Sequence, residues 1–312
     1  MNKLSEKIKV MREMAFASSD QNIQAVLKDI YDMIDQNEDV LKRCYEVDKE
    51  GTDKKESLII KRMLETVQGV IDYKFPDIQV HEMIDERRVL ELKQNMGVIG
   101  VLYNGDVYAT LELIVKALKT GNAIILNVGI NNNIGTNNLI VKTIKEILEK
   151  NNKPEGLVEI NFSENEELAN EELDQVIVIG DREKQLRVNA LNINTIKSGY
   201  GYGEIYIDDL ENESFINKIL TEVDYNIKVY IKEGLETNIQ GKRVAGGVEA
   251  IAHINSEGAR YAATIFSNDV QMQKIFMKRV KNKYTFVNAS PTIARELDIY
   301  IEDLYYRKIG MV

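Results

Sequence analysis

One thiol, two imidazoles and one glycine-rich turn are the groups in this chain whose chemistry stands apart from core and surface charge. Cys44 is the only cysteine, so the chain makes no internal disulfide and no cysteine-based zinc site. It is spaced with Val40, Leu41 and Val47 as a half-buried helix position is, with Arg43 as a cationic neighbour. Packing and reactivity are its two readings. His81 falls in an alternating segment and reads as a surface or half-buried strand residue, or as a functional one. His253 lies in an Ala-His-Ile-Asn stretch and reads as structural or functional. Two histidines leave little for a His-based metal site or a Ser-His-Asp triad. Ser198-Gly-Tyr-Gly-Tyr-Gly203 has the spacing Gly-x-Gly-x-Gly, not Gly-x-Gly-x-x-Gly, and no helix opens directly behind it. It reads as a tight interdomain turn or as a weak dinucleotide fingerprint.

The elements that position these groups follow from periodicity. Leu4, Ile8, Val10 and Met11, then Ile23, Val26, Leu27, Ile30 and Ile34, recur at helical spacing. Ser18-Ser19-Asp20 offers an N-cap between the two runs, and Lys49–Glu56 is a charged break. A further helix, Ser57–Tyr73, ends before Pro76. The period then changes to two over Ile78–Ile84 and Val89–Leu92, which predicts a two-stranded ribbon. From Met96 the chain alternates strands with helices. Strands are expected at Val98–Tyr103, Ala123–Asn127, Gly156–Ile160, Val176–Ile179 and Asn194–Lys197. Helices are expected at Val107–Lys119, Ile134–Lys150, Glu164–Glu172 and Asp181–Leu191. That order predicts a doubly wound parallel sheet, which binds ligands at the C-terminal ends of its strands. A shorter α/β stretch follows, and Leu297–Val312 is able to return to the ribbon as a further strand.

The 312 residues predict about two domains. With 40 Lys+Arg against 50 Asp+Glu the formal charge is −10, which argues against non-specific nucleic-acid binding. Met1–Met14 lacks the apolar block of a signal peptide, and no apolar run is long enough to span a bilayer. One unpaired cysteine suggests a reducing compartment. The expectation is a soluble, cytoplasmic protein with no nucleic-acid and no membrane partner.

Residues 96–126, MGVIGVLYNGDVYATLELIVKALKTGNAIIL, resemble the first nucleotide-binding strand, helix and second strand of the aldehyde dehydrogenase superfamily. The likeness is nearest to the gamma-glutamyl phosphate reductase (glutamate-5-semialdehyde dehydrogenase) branch. INTIKSGYGYGEIYID at 193–208, VEAIAHINSEGARYAATIFSNDVQMQKIF at 248–276 and TFVNAS at 285–290 resemble later parts of that family in the same order. The resemblance implies an α/β, aldehyde-dehydrogenase-like fold. It divides the chain into N-terminal helices (1–76), an oligomerisation β-ribbon (77–95), a Rossmann-like nucleotide-binding domain (96–203), a shortened catalytic-type domain (204–290) and a C-terminal return segment (291–312). It further implies an NAD(P) cofactor, no metal, and a homodimer or larger assembly through the ribbon. The positions that match the family's cofactor site are Tyr103, Asn104, Asn127, Gly129, Gly180, Gly199 and Gly201.

Departures from the family are concentrated on its chemistry. That chemistry reduces an acyl phosphate with NADPH through a cysteine thioester, because a thiolate both attacks and leaves well. The segment after the glycine turn and next helix, which carries the family's cysteine, is missing, and residues 208–312 hold no cysteine. Tyr108 stands where the family has an oxyanion-stabilising asparagine, and its phenol has one hydrogen bond to donate. Asp106-Val107 replaces an arginine-proline pair, so an acyl phosphate meets repulsion there. Asn127 replaces a basic residue and is unable to offset a 2′-phosphate. Gly180-Asp-Arg-Glu183 brings two carboxylates to a helix start where they compete with a pyrophosphate. Tyr202-Gly-Glu204 replaces an asparagine-cysteine-histidine run. No catalytic residue is assigned. The reading is a degenerate superfamily member that acts by binding a small molecule or by assembly. The alternatives are an active NAD(P)-dependent oxidoreductase of the same type and a purely structural subunit.

Overall fold

The computed structural model describes residues 3–18, 23–48, 56–75, 80–84, 87–129, 133–162, 172–191, 193–222, 225–294 and 297–311. The chain forms two compact units. Residues 1–177, 191–196 and 299–312 make up the first, and residues 178–190 and 197–298 the second. The division runs inside two strands, and it groups residues 178–190 with the second unit.

The first unit opens with four helices, α1 (Lys3–Ser18), α2 (Gln24–Gln36), α3 (Glu38–Asp48) and α4 (Glu56–Asp72). The helical spacing of Ile8 and Met11, and of Val26, Leu27, Ile30 and Ile34, buries those side chains. Helix α3 departs from expectation. Asn37 ends α2 with its backbone N–H on the Met33 carbonyl, and a separate helix follows. On α3 only Leu41 is buried; Val40 and Val47 are exposed, the latter at 78%, and Cys44 is half-buried. The expected Ser18–Asp20 cap and Lys49–Glu56 break lie largely outside the described residues. Helix α2 starts after Ile23 without a side-chain cap.

Strands β1 (Val80–Ile84) and β2 (Arg87–Asn95) pair antiparallel, with a register shift between Val80 and Met83. The last strand, β13 (Tyr305–Met311), pairs antiparallel with the other side of β2, Tyr305 opposite Asn95 and Met311 opposite Val89. The alternating core follows: β3 (Val98–Tyr103), α5 (Val107–Lys119), β4 (Ala123–Val128), α6 (Ile134–Lys150), β5 (Val158–Phe162), β6 (Gln175–Ile179), α7 (Arg182–Asn189) and β7 (Thr195–Ser198). The sheet order is β5-β4-β3-β6-β7, which reverses direction of growth after β3 as in a doubly wound fold. Strands β3 and β4 are buried at every residue because both faces of a parallel sheet are covered. Each such aliphatic side chain contributes roughly 1.5–3 kcal/mol of burial. The helix expected at 164–172 lies mainly outside the described residues.

The second unit contains β8 (Tyr202–Ile207), α8 (Glu213–Glu222), β9 (Asn226–Lys232), β10 (Lys242–Val244), α9 (Gly247–Glu257), β11 (Ala262–Phe266), α10 (Val270–Arg279) and β12 (Tyr284–Val287). All pairs in the order β10-β9-β8-β11-β12 are parallel. Tyr206, Tyr230, Ile254, Ile265 and Phe276 form the core on one face of the sheet. Ile205, Ile207, Ile216, Ile231 and Phe266 form it on the other. Parallel neighbours ordinarily need a crossover of a dozen or more residues. Here β9 and β10 are joined by residues 233–241 alone, with no helix between them.

Two polar ties hold the first unit together. Asn122 accepts from Met96 N (2.7 Å) and Gly97 N (2.9 Å) and donates to the Leu304 carbonyl (2.6 Å), so one amide joins the ribbon, β3 and the C-terminal turn. Asp48, at the end of α3, caps α6 from a distance in sequence. Its carboxylate accepts from Gly135 N (3.1 Å), Thr136 N (2.7 Å) and Thr136 Oγ1 (2.6 Å), while the N-cap residue Asn133 makes no side-chain cap. A caged N-terminus of this kind responds to removal of its acceptor. Asp48→Ala is expected to cost about 1–2 kcal/mol of stability, read from urea unfolding. An unchanged midpoint would show that the cap contributes nothing.

Candidate functional site

At the C-terminal end of β3 the chain turns through Asn104-Gly105-Asp106. Gly105 has φ +83°, and Asn104 Oδ1 accepts the Asp106 N–H at 3.3 Å. Asp106 caps α5 by accepting from Ala109 N at 2.8 Å, so its carboxylate serves the helix. Beneath this turn is a buried network. The Tyr103 hydroxyl meets Thr110 Oγ1 at 2.5 Å, and Thr110 Oγ1 donates to Asn137 Oδ1 at 2.6 Å. Asn137 and Asn133 both donate to the Gly105 carbonyl, at 2.8 and 3.0 Å. Tyr103 is 1% exposed and burial raises its phenol well above the usual range. Tyr103 is thus a core residue. Asn127 is buried at the end of β4 and pairs with Leu102 in the sheet register, and Gly129 follows half-buried. Tyr103, Asn104, Asn127 and Gly129 therefore gather at one sheet edge of the first unit. Thr110, Asn133 and Asn137, which complete that edge, carried no sequence signal beyond helix polarity.

Tyr108 is not placed to donate to an oxyanion. Its hydroxyl meets Thr66 Oγ1 on α4 at 3.0 Å, and the Arg62 guanidinium lies 3.5 Å from its ring centroid. Burial, and after it the Glu112 carboxylate, push its phenol up to about 12. The first turn of α5 points this side chain at α4.

In the second unit, Gly180 ends β6 and opens α7. Asp181 is the N-cap and accepts the Lys184 N–H at 2.8 Å. The Tyr202 phenol is raised chiefly by burial, and after it by the Asp181 carboxylate. Helix α7 is thus capped by its own chain. Gln185, which the sequence did not mark, donates to the carbonyls of Gly180 (2.9 Å), Ser198 (3.3 Å) and Ala259 (3.3 Å). Gly199 is required sterically, because a Cβ there would lie 2.7 Å from the Ala259 carbonyl oxygen. Gly201 is required conformationally, with φ +81°. Both glycines are explained by the turn itself. Tyr200, between them, is buried and meets Tyr225 and Tyr261 edge to face, with centroids 6.0 Å apart in each pair. The Tyr225 hydroxyl donates to the Ala294 carbonyl at 2.9 Å.

Glu204 is a carboxyl group buried to 1% exposure on β8. It accepts from Ala259 N at 2.9 Å and from Asn282 Nδ2 at 2.6 Å, and burial pushes it up to about 7. His253 lies inside α9 and not in a turn. Its ring stacks on Tyr230, and its Nδ1 is 2.7 Å from Glu257 Oε1 and 3.1 Å from Lys242 Nζ. The His81 side chain lies outside what is described. Among the described residues no cluster of three or more His, Cys, Asp or Glu fits a metal ion, and no helix is long and apolar enough to cross a membrane.

Comparison with known proteins places this geometry. The gamma-glutamyl phosphate reductase of Alkaliphilus oremlandii is 24% identical over 368 residues, covering 93% of this chain and 88% of that protein. That of Clostridium perfringens strain SM101 is 26% identical over 358 residues, covering 89% and 84%. Both alignments are longer than this 312-residue chain, so the relatives carry internal segments that it lacks. The crystal structure of gamma-glutamyl phosphate reductase from Thermotoga maritima matches with a TM-score of 0.63 at 21% identity, covering 100% of this chain and 98% of that one. Glyceraldehyde-3-phosphate dehydrogenase GapN from Methanocaldococcus jannaschii, complexed with NADP, matches with a TM-score of 0.74 at 13% identity, covering 99% and 94%. No protein-family model matches the chain.

The Glu204 carboxyl gives a pH-dependent expectation. Its folded pKa lies above the ordinary 4.5, so between about 4.5 and 7 the folded protein holds a proton the unfolded chain has lost. Stability therefore falls as pH rises through that window, by on the order of 3 kcal/mol. Glu204→Gln removes this slope. The new amide keeps the Ala259 N–H and donates to Asn282 Oδ1, which has no hydrogen-bond partner, once the Asn282 amide turns over. Urea unfolding is expected to show the variant more stable than wild type at pH 8 and equal to it near pH 4. A parallel pH profile for the two proteins would contradict this.

Proposed function

From a chain with the aldehyde dehydrogenase superfamily fold, similar to gamma-glutamyl phosphate reductases, we propose a catalytically degenerate protein that acts by binding or assembly. One observation carries the reading. The family's nucleophilic cysteine belongs between the helix after the glycine turn and the next strand, which here is the stretch between α8 and β9. That stretch holds Tyr225, whose ring packs on Tyr200 and whose hydroxyl is spent on the Ala294 carbonyl. An aromatic side chain committed in this way supplies neither a nucleophile nor a leaving group for acyl transfer. The only thiol, Cys44, sits half-buried on α3 in the first unit.

The cofactor groups support the same reading. A pyrophosphate is held by free N–H groups at a helix start. At α7 the Lys184 N–H goes to the Asp181 carboxylate. Asn104 is spent on its own turn and Tyr103 is core. These residues do not fit NADP in the family's manner. The NADP in the GapN structure favours the second reading, an active NAD(P)-dependent oxidoreductase. The two readings part on direct assay. Pure protein with NADPH and gamma-glutamyl phosphate, or with the semialdehyde and NADP, is expected to show no turnover above a protein-free blank. NAD(H) and NADP(H) at about 1 mM are expected to leave the thermal midpoint unmoved, since only ligands of the native state raise it. Turnover lost in Cys44→Ala would overturn the proposal.

Assembly is proposed through the ribbon. In the order β1-β2-β13, β13 has no partner on its outer side among the described residues, and its Ile309, at 71% exposure, and Tyr306 are exposed. Unpaired apolar edges are sites of chain–chain pairing. Light scattering at micromolar concentration is expected to give a dimer or larger for wild type and a smaller species for Ile309→Lys. A wild-type monomer would count against it.

A further inference from the structure

Three segments of the second unit meet on one buried carboxyl. Glu204, on β8, accepts from Ala259 N at 2.9 Å, in the turn between α9 and β11. It also accepts from Asn282 Nδ2 at 2.6 Å, just ahead of β12. Gly258 packs directly on it, since a Cβ there would lie 2.8 Å from its Oε1. Both donors are neutral. Among the described residues no cation is hydrogen-bonded to this carboxyl. Lys228 on β9 acts on it through space only, with its own Nζ on the Glu257 carbonyl at 3.0 Å. Tyr230, also on β9, feels the carboxylate as a like charge. The charged neighbours of the two donors are Glu257, Arg260, Lys281 and Lys283, and Lys283 pairs with Asp298.

An ionised carboxyl in this setting is destabilised, and either a proton or water relieves it. The closed structure accommodates the proton. Asn282 Oδ1 is buried without a hydrogen-bond partner, and turning that amide over brings it to the Glu204 oxygen. Water needs an opening, and the α9–β11 turn is built to give one. Gly258 and Ala259 are buried, but exposed Glu257 and Arg260 flank them. Apart from Glu204, few bonds hold the turn. They are Gly258 N to the Ile254 carbonyl (3.0 Å), Gln185 to the Ala259 carbonyl (3.3 Å) and Lys283 N to the Arg260 carbonyl (3.2 Å). Arg260 holds φ +62°, a strained conformation for a bulky residue that opening releases. The pairing of β8 with β11 starts beyond the turn, at Gly203 and Ala262, so the sheet survives the motion.

We propose that residues 258–260 are a proton-operated flap, closed over Glu204 while it is protonated and open to hydrate it once the proton has left for solvent. Its position reaches the glycine turn, because Gly199 packs on the Ala259 carbonyl and Gln185 ties that carbonyl to those of Gly180 and Ser198. Burial pushes the closed carboxyl up to about 7, which sets the window in which the flap responds.

The test is hydrogen exchange of the full-length protein, followed amide by amide from pH 5 to 8 and expressed as protection factors. The Ala259 amide is expected to lose about fiftyfold in protection across that range, because a hydrated carboxyl regains its ordinary proton affinity. At pH 8 it is expected to be at least about tenfold less protected than the amides of β8 and β11. Its exchange is also expected to be insensitive to about 1 M urea, since a local opening exposes little surface. In Glu204→Gln the Ala259 protection factor is expected to stay level with pH. The wild-type profile decides even if that variant folds poorly. An Ala259 amide that exchanges only together with the sheet, or whose protection is flat from pH 5 to 8, would overturn the proposal. So would a pH-dependent loss that persists in a folded Glu204→Gln.

Discussion

Backbone polar groups at the ends of parallel strands and at helix starts must be satisfied, and in this chain the satisfaction comes from its own side chains. The Gly105 carbonyl after β3 is taken by Asn133 and Asn137. The carbonyl of Gly180 after β6 is taken by Gln185. The start of α6 is capped by Asp48, and that of α7 by Asp181. Doubly wound sheets usually present such groups to a ligand. Here they are the fasteners of the fold, and everything inferred about chemistry follows from that reassignment.

The second unit shows the same economy in its core. Its sheet keeps five parallel strands and two apolar faces, yet β9 reaches β10 through residues 233–241 without a helix. Relatives align over more residues than this chain contains, so the shortening is internal. Tyr200, Tyr225, Tyr261 and Tyr284 form a chain of edge-to-face rings across the strand starts. Aromatic packing of this kind stabilises a shortened domain through large buried surfaces while leaving no reactive group behind.

Much of the fold was legible because periodicity is local. Val98–Tyr103 and Ala123–Asn127 read as strands, and both are. The glycine turn read either as a turn or as a weak fingerprint, and close approach at Gly199 with positive φ at Gly201 accounts for both residues as a turn. Local spacing failed where a helix broke early. Val40 and Val47 share helical spacing with Leu41 and Cys44 on α3, yet after the break at Asn37 that helix buries only Leu41 and leaves both valines exposed. It failed again at Tyr108, which a linear alignment sets at an oxyanion position. The first turn of α5 instead points it at Thr66 and Arg62.

What the sequence determined by itself was the alternation of elements, the lack of a thiol after residue 208 and the resemblance that joins four ordered stretches. Those are properties of neighbouring residues along the chain. Only the tertiary structure decided which polar groups remain available. Asp48 meets Gly135, Gln185 meets Ala259, and Tyr225 meets Ala294. The physical reason is that a hydrogen bond or charge pair is set by distance in space. Residues tens of positions apart in the chain carry no local signal of meeting until the strands and helices are packed.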